Sequence, residues 1–298
     1  MIKILFLGTS SMVPTKDRNH TSILLKFKEE NILIDCGEGT QRQLKIANEK
    51  VTRITKILIT HWHGDHVLGI PGLLQTMAAS NYQKTLLIFG PDGTKKFFEN
   101  IMKIFVFNNQ INYEVREISK DGVFYENEDF KIEAYKLEHK IPCLGYRFVE
   151  KDKRKINVAA LKKYKIPEGP IVGRLQRGED IVYNGKRIRA DDVSYIQKGK
   201  IVGFITDTNV CENCLNVASD ADILISEATF KEDLEEKALE YSHLTVKDAA
   251  YIATRANVKK LVLTHFSQRY KGIGELEEEA KKYFKNSVCA YDFMRISL

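Results

Sequence analysis

The chain has 298 residues, 43% of them hydrophobic and 29% charged, with a formal net charge of +6. That is enough apolar material for one large core or two modest ones, and no apolar run approaches the ~18 residues that a membrane span needs. Five cysteines, Cys36, Cys143, Cys211, Cys214 and Cys289, form an odd and sparse set. This is unlike a secreted disulfide framework and points to a cytoplasmic chain.

The first apolar stretch, residues 2–7, is too short for a signal peptide and reads as a β-strand. Further strand-like runs follow at 22–27, 32–34, 57–60, 86–89, 130–137, 202–205, 223–226 and 261–264. Helical patterns lie at 92–105, 244–256 and 274–284, and Thr245 with Asp248 three residues later predicts an N-terminal cap. Strands mixed with helices predict a layered α/β (α+β) domain.

Residues 151–200 break this rhythm. They hold 14 Lys and Arg against 6 Asp and Glu, a larger excess than the +6 of the whole chain. Pro167-Glu168-Gly169-Pro170 and an Asn184-Gly185 turn mark an excursion from the core, and its charge suits a polyanion.

The sharpest chemical signal is His61-Trp62-His63-Gly64-Asp65-His66, directly after the strand-like 57–60. Strand side chains alternate, so His61 and His63 are expected to point the same way. Gly64 is expected to turn the chain so that Asp65 and His66 reach a neighbouring position. Imidazoles and a carboxylate suit zinc or a similar divalent ion. His139, Asp207 and His265 each stand at or near the end of a strand-like run, as His61 does. One such residue is ordinary turn chemistry; together they suggest a metal site.

This pattern resembles the metallo-β-lactamase superfamily. The resemblance implies an αββα sandwich with two metals in a cleft between the sheets. One would be held by His61, His63 and His139, the other by Asp65, His66 and His265, with Asp207 bridging. Two Zn2+ per subunit are expected, with Mn2+ or another divalent ion as an alternative.

Four further stretches look like ribonuclease Z, which processes the 3′ end of tRNA. The first is Pro14-Thr15-Lys16-Asp17-Arg18-Asn19-His20-Thr21-Ser22, similar to a family loop near the active site. There Lys16 and Arg18 are expected to contact phosphate and Asn19 a base edge. The second is 35–43, with Asp35 packed under the metal loop. The third joins Ser226-Glu227-Ala228-Thr229-Phe230 to Ser242-His243-Leu244-Thr245, where Ser226 and Leu244 replace the family's His and Ser. The resemblance makes Glu227 and His243 a pair that protonates the leaving oxygen. Without it, Glu227 reads as a surface acid and His243 as part of a helix cap. The fourth is the basic segment, where Gly169 and Pro170 resemble the Gly-Pro element of a flexible tRNA-binding arm.

The resemblance implies a single catalytic domain over 1–298, a protruding basic arm at 151–200, and a homodimer acting on precursor tRNA. A water oriented by Asp65 would attack the phosphate after the discriminator nucleotide. Rival readings are a small-molecule phosphodiesterase or lactonase of the same fold, and a non-catalytic RNA-binding relative. Cys211-Glu212-Asn213-Cys214 has the spacing of half a zinc knuckle, but no second pair accompanies it, so two incidental thiols near a helix start are expected.

Overall fold

A computed structural model describes residues 1–106 and 111–298. Among these, two seven-stranded sheets dominate. The first runs in the spatial order Arg295–Ser297, Ile2–Gly8, Ser22–Phe27, Glu30–Ile34, Lys56–Leu58, Leu86–Pro91 and Tyr113–Ile118. The second runs Ser287–Cys289, Leu261–Thr264, Ile223–Glu227, Ile201–Ile205, Cys143–Glu150, Phe130–Leu137 and Gly122–Glu126.

The strands read as near-continuous apolar runs because both faces of each sheet are covered. Along Ile2–Gly8, Ile4 and Phe6 enter the core between the sheets, while Leu5 and Leu7 pack against helices on the other side. That second layer brings Leu44, Leu73, Met77 and Phe98 from the helices Thr40–Ile46, Ile70–Ala79 and Thr94–Ile104. The second sheet is backed in the same way by Val217, Ala249, Ile252 and Leu276. Between the sheets, Phe27, Phe130 and Phe148 pack ring against ring, with Phe27 edge-on to both partners. The result is the expected four-layer αββα sandwich.

Several expected elements have the observed bounds, among them the strands Ser22–Phe27, Phe130–Leu137 and Leu261–Thr264. Thr245 caps the helix Val246–Arg255 in a full capping box with Asp248. The basic segment stands on a two-stranded stem, Lys153–Ile156 paired with Ser194–Gln197. Beyond the stem lie the helices Val158–Lys163 and Pro170–Gln176 and the hairpin Ile181–Tyr183/Lys186–Ile188. Asn184 and Gly185 turn the hairpin with φ of 50° and 73°. Leu161, Ile166, Leu175, Ile181, Ile188 and Val193 form a separate small core there. The Glu150 N–H donates to the Lys200 carbonyl at 2.9 Å, so the segment leaves and rejoins the sheet at one point.

Strand direction places the site. Ile201–Ile205, Ile223–Glu227 and Leu261–Thr264 are parallel, so Asp207, Glu227 and His265 all come out at one rim. Phe130–Leu137 reaches the same rim because two antiparallel pairings separate it from Ile201–Ile205. In the first sheet, Glu30–Ile34 and Lys56–Leu58 are parallel and deliver Asp35 and His61 to the facing rim.

Candidate metal centre

The expected ligands converge. His61, His63, His139 and Asp207 form one group, and Asp65, His66, Asp207 and His265 a second, each with its ligand atoms within 4.8 Å of one another. Asp207 belongs to both and divides its oxygens between them. Its Oδ2 lies 3.6 Å from His61 Nε2, while its Oδ1 lies 3.2 Å from His265 Nε2 and 3.5 Å from His66 Nε2.

The chain reaches this geometry differently from the strand-alternation expectation. The strand Lys56–Leu58 ends before His61, and Asp65 and His66 sit in the short helix Gly64–Val67. Gly64 starts that helix without a positive φ, so it is not the sharp turn expected of it. The tight position is Gly37, where a Cβ would meet the Asp65 carbonyl oxygen at 2.3 Å and His20 Cβ at 2.5 Å.

Outward hydrogen bonds fix the tautomers. His61 Nδ1 donates to Thr60 Oγ1 at 3.1 Å, and His66 Nδ1 to Asp35 Oδ2 at 2.6 Å. His139 Nδ1 donates to the Ser242 carbonyl at 3.0 Å, and His265 Nδ1 to Thr229 Oγ1 at 2.9 Å. Each ring therefore turns a bare Nε2 into the cluster. His61 Nε2 is 3.0 Å, and His139 Nε2 3.3 Å, from His63 Nδ1. Buried His66 Nε2, Asp65 Oδ1 and Asp207 Oδ1 have no hydrogen-bond partner. Such orphans are costly unless a cation fills the space between them. The donor set, imidazole nitrogens with carboxylates, fits a divalent metal ion.

The electrostatics agree. Burial, helped by the charge of His66, holds His61 well below the usual imidazole range, which keeps it a neutral ligand. Burial alone would also lower His66, but the Asp35, Asp65 and Asp207 carboxylates outweigh it and draw positive charge there. Burial would raise Asp207 and Asp65, yet the surrounding imidazoles hold both well below the usual carboxylate range. The pocket is built to be filled by cations.

Glu227 and His243 stand beside this cluster. Glu227 is wholly buried rather than a surface acid, because it ends an apolar strand inside the second sheet. Its Oε1 accepts the Thr208 N–H at 2.9 Å and His243 Nδ1–H at 3.2 Å, and its Oε2 accepts the Thr229 hydroxyl at 2.6 Å. His243 is not a helix-cap residue, since that place belongs to Thr245. It is set by Ser242, whose φ of 58° ends the helix Glu235–Tyr241. Burial would lower the His243 pKa, but Glu227 and Asp207 outweigh it and raise it to about 9. Ser226 and Leu244 are buried and leave the pair intact.

Thr229 was not singled out from sequence. It joins Glu227 to His265, and its signal was only its place in the quoted segment.

The polar loop divides between exposed and buried residues. Lys16 is highly exposed, with its Nζ 3.9 Å from Asp17 Oδ2. Arg18 is instead buried, and its guanidinium donates to the carbonyls of Ser267 at 3.2 Å and Tyr270 at 2.8 Å. It braces the loop after His265. Asn19 is likewise engaged, donating from Nδ2 to the Glu38 carbonyl at 2.7 Å and from its N–H to Asp292 at 2.8 Å. Gly169, at φ 141°, precedes Pro170, which opens the helix Pro170–Gln176 in the basic segment. Cys211 stands at the start of the helix Glu212–Ala218, with its Sγ 3.5 Å from Cys214 Sγ. Neither belongs to a metal cluster among the described residues.

The cluster opens into a cleft of about 500 Å³ lined by His63, Asp65, His139, Asp207, His243 and His265. Lys140, Lys237, Tyr241 and Arg269 stand in its walls. Among the described residues, no helix is long and apolar enough to cross a membrane.

Comparison with known proteins bears on the chemistry. A family model described as Anti-Pycsar protein Apyc1 matches residues 2–154. The crystal structure of a metallo-beta-lactamase fold protein, YhfI from Bacillus subtilis, superposes with a TM-score of 0.71 at 19% identity, covering 99% of this chain and 98% of its own. This likeness shows the fold. The crystal structure of human tRNase Z, short form, gives a TM-score of 0.72 at 29% identity, covering 99% of this chain and 98% of that one. A ribonuclease Z from Archaeoglobus fulgidus is 40% identical over 304 residues, spanning 100% of this chain and 98% of its own length. Fold, converging donor groups and full-length identity agree: the chain belongs to the ribonuclease Z family.

Proposed function

We propose that the protein is a metal-dependent endoribonuclease that removes the 3′ trailer from precursor tRNA. It cuts after the discriminator nucleotide and leaves a tRNA 3′-hydroxyl and a trailer 5′-phosphate. The observation that carries this reading is the pair of donor groups sharing Asp207, open to a cleft beside the Glu227–His243 pair, in a chain of this family.

We assign His61, His63 and His139 to one zinc ion, Asp65, His66 and His265 to another, and Asp207 to both. When bound, such a pair supplies Lewis acidity and an activated water for in-line phosphoryl displacement. The remaining steps fall to the chain's own groups. Asp65 Oδ1, buried and unpartnered, accepts a hydrogen bond from the attacking water and aims it. His243 keeps its proton through neutral pH because Glu227 faces it, and gives that proton to the departing 3′ oxygen. Glu227 fixes the imidazole and, through Thr208, the loop that carries Asp207.

The segment 151–200, with Gly169 and Pro170, is assigned to the tRNA body. Lys162, Lys163 and Lys165 are exposed at and beyond the end of the helix Val158–Lys163, placed to meet phosphates without reading bases. In a cytoplasmic homodimer, the arm of one copy would serve the cleft of its partner. Exposed Lys16 remains a candidate phosphate contact.

The test uses precursor tRNA labelled at its 5′ end, with the intact protein and a version whose arm is replaced by a short turn. The expected result is one chelator-sensitive cut beside the discriminator by the intact protein. The shortened protein should keep hydrolysis of a small phosphodiester and lose the tRNA. If the tRNA stays whole while both versions hydrolyse the small ester, the protein is a small-molecule phosphodiesterase of the same fold.

A further inference from the structure

One wall of the cleft carries groups that neither the metal cluster nor the proton donor uses. Tyr241, at the end of the helix Glu235–Tyr241, is 45% exposed and lines the cleft. Two ammonium groups lie over its ring, Lys140 Nζ at 5.2 Å and Lys237 Nζ at 5.8 Å from the centroid. Neither lysine makes an ion pair among the described residues, whose salt bridges go to other cations. An exposed aromatic face flanked by uncommitted positive charge is the arrangement that takes single-stranded nucleic acid.

The wall is fixed to the reaction centre at two points. Tyr241 precedes His243 by two residues, and Lys140 directly follows His139. The hydrogen bond from His139 Nδ1 to the Ser242 carbonyl ties these two loops together. The cleft is also lined by Met12, Val13 and Arg269, whose guanidinium lies over Phe230 at 5.2 Å. The flank of the RNA whose 3′ oxygen departs must lie on the side of His243.

We propose that Tyr241, Lys140 and Lys237 form the seat for the last retained nucleotide of the RNA. Its base stacks on Tyr241, and the two lysines grip phosphates on its 5′ side, away from the one that is cut. The lysine chains rest on the ring in the free protein and are long enough to move to phosphates while the base takes their place. Stacking accepts any base because every base has a π face, and ammonium–phosphate contacts carry no sequence information. The seat holds the nucleotide in place without choosing it. The inference rests on the ribonuclease reading above and adds positioning and binding residues to it.

The test measures kcat/KM on precursor tRNA and on the same RNA made abasic at the last retained nucleotide. Tyr241→Ala should lose about tenfold on the natural RNA. The parent should lose a similar factor on the abasic RNA, and the two losses should not add. Tyr241→Phe should restore the natural rate, because the ring and not the hydroxyl does the stacking. Lys140→Ala and Lys237→Ala should each flatten the dependence of log affinity on log salt by about 0.7.

Equal loss by Tyr241→Ala on natural and abasic RNA would mean a merely structural role and overturn the seat. Non-additivity with an abasic site at the first trailer nucleotide instead would put the seat on the wrong side of the cut. In both cases the parent still cuts tRNA, so the ribonuclease reading survives. Failure of the parent to cut any tRNA would remove that reading and the seat together.

Discussion

Asp35 Oδ2 lies 2.6 Å from His66 Nδ1, with both side chains fully buried. The other Asp35 oxygen accepts the Thr60 N–H at 2.8 Å, so one carboxylate sets both the loop before His61 and the tautomer of His66. Asp35→Asn keeps the shape and removes the charge. The expected result is a 10- to 100-fold loss of metal affinity in chelator competition, with the fold retained. Unchanged affinity would mean that His66 does not need this partner.

Asp207 is expected to be the least replaceable ligand, because each of its oxygens faces a different donor group. Asp207→Ala should lower the metal bound per chain and abolish cleavage, as read by elemental analysis and a gel assay on the same sample. Full activity in this variant would sink the assignment of the site.

Glu227→Gln should separate proton donation from metal binding. Glutamine keeps an acceptor for the Thr208 N–H but loses the charge that raises His243 to about 9. The working form of His243 is the protonated one, present below its pKa and lost as pH rises through it. The alkaline limb of the rate profile should therefore move to lower pH, and kcat at neutral pH should fall severalfold with metal content unchanged, whereas removing the acid altogether by His243→Ala should cost about 10²–10⁴. A fall in rate accompanied by loss of metal would make Glu227 a support for the ligands instead.

Asp222 offers a test away from the cleft. Burial would raise its pKa, but Lys259, the Ile201 N–H and Lys200 hold it below the usual range. Its stabilisation is thus present above the unfolded carboxylate pKa and lost as pH falls through the folded one. Asp222→Asn should cost about 2 kcal/mol at neutral pH. The gap to the parent should close below about pH 4 in thermal melts. A gap that persists there would show that the ion pairs contribute little.

The cluster of donor groups was legible because histidine is rare in this chain, with seven in all, and five of them belong to the cluster. Apolar runs mixed with helical patterns gave a layered α/β domain, while the αββα order came only with the family resemblance. Less could be read where burial depends on distant partners. Arg18 looks like a surface cation until the carbonyls of Ser267 and Tyr270, some 250 positions away, are seen to hold it. Glu227 looked exposed because nothing local announces that its strand is interior. The pattern suggested a turn at Gly64, whereas the close approach is at Gly37, a neighbour only in space.

The donor groups also divide by sheet. His61, His63, Asp65 and His66 follow the first sheet, and His139, Asp207 and His265 follow the second. Ions held between them would act as a clasp across the sandwich, doing for these two halves what a disulfide does for a secreted domain. Filling the clasp would draw the equilibrium toward the folded chain, by about 2.7 kcal/mol at a free metal concentration a hundred times the dissociation constant. A chain supplied with too little metal would then be not only slow but also easier to unfold, linking its persistence in the cell to the same ions that would run its chemistry.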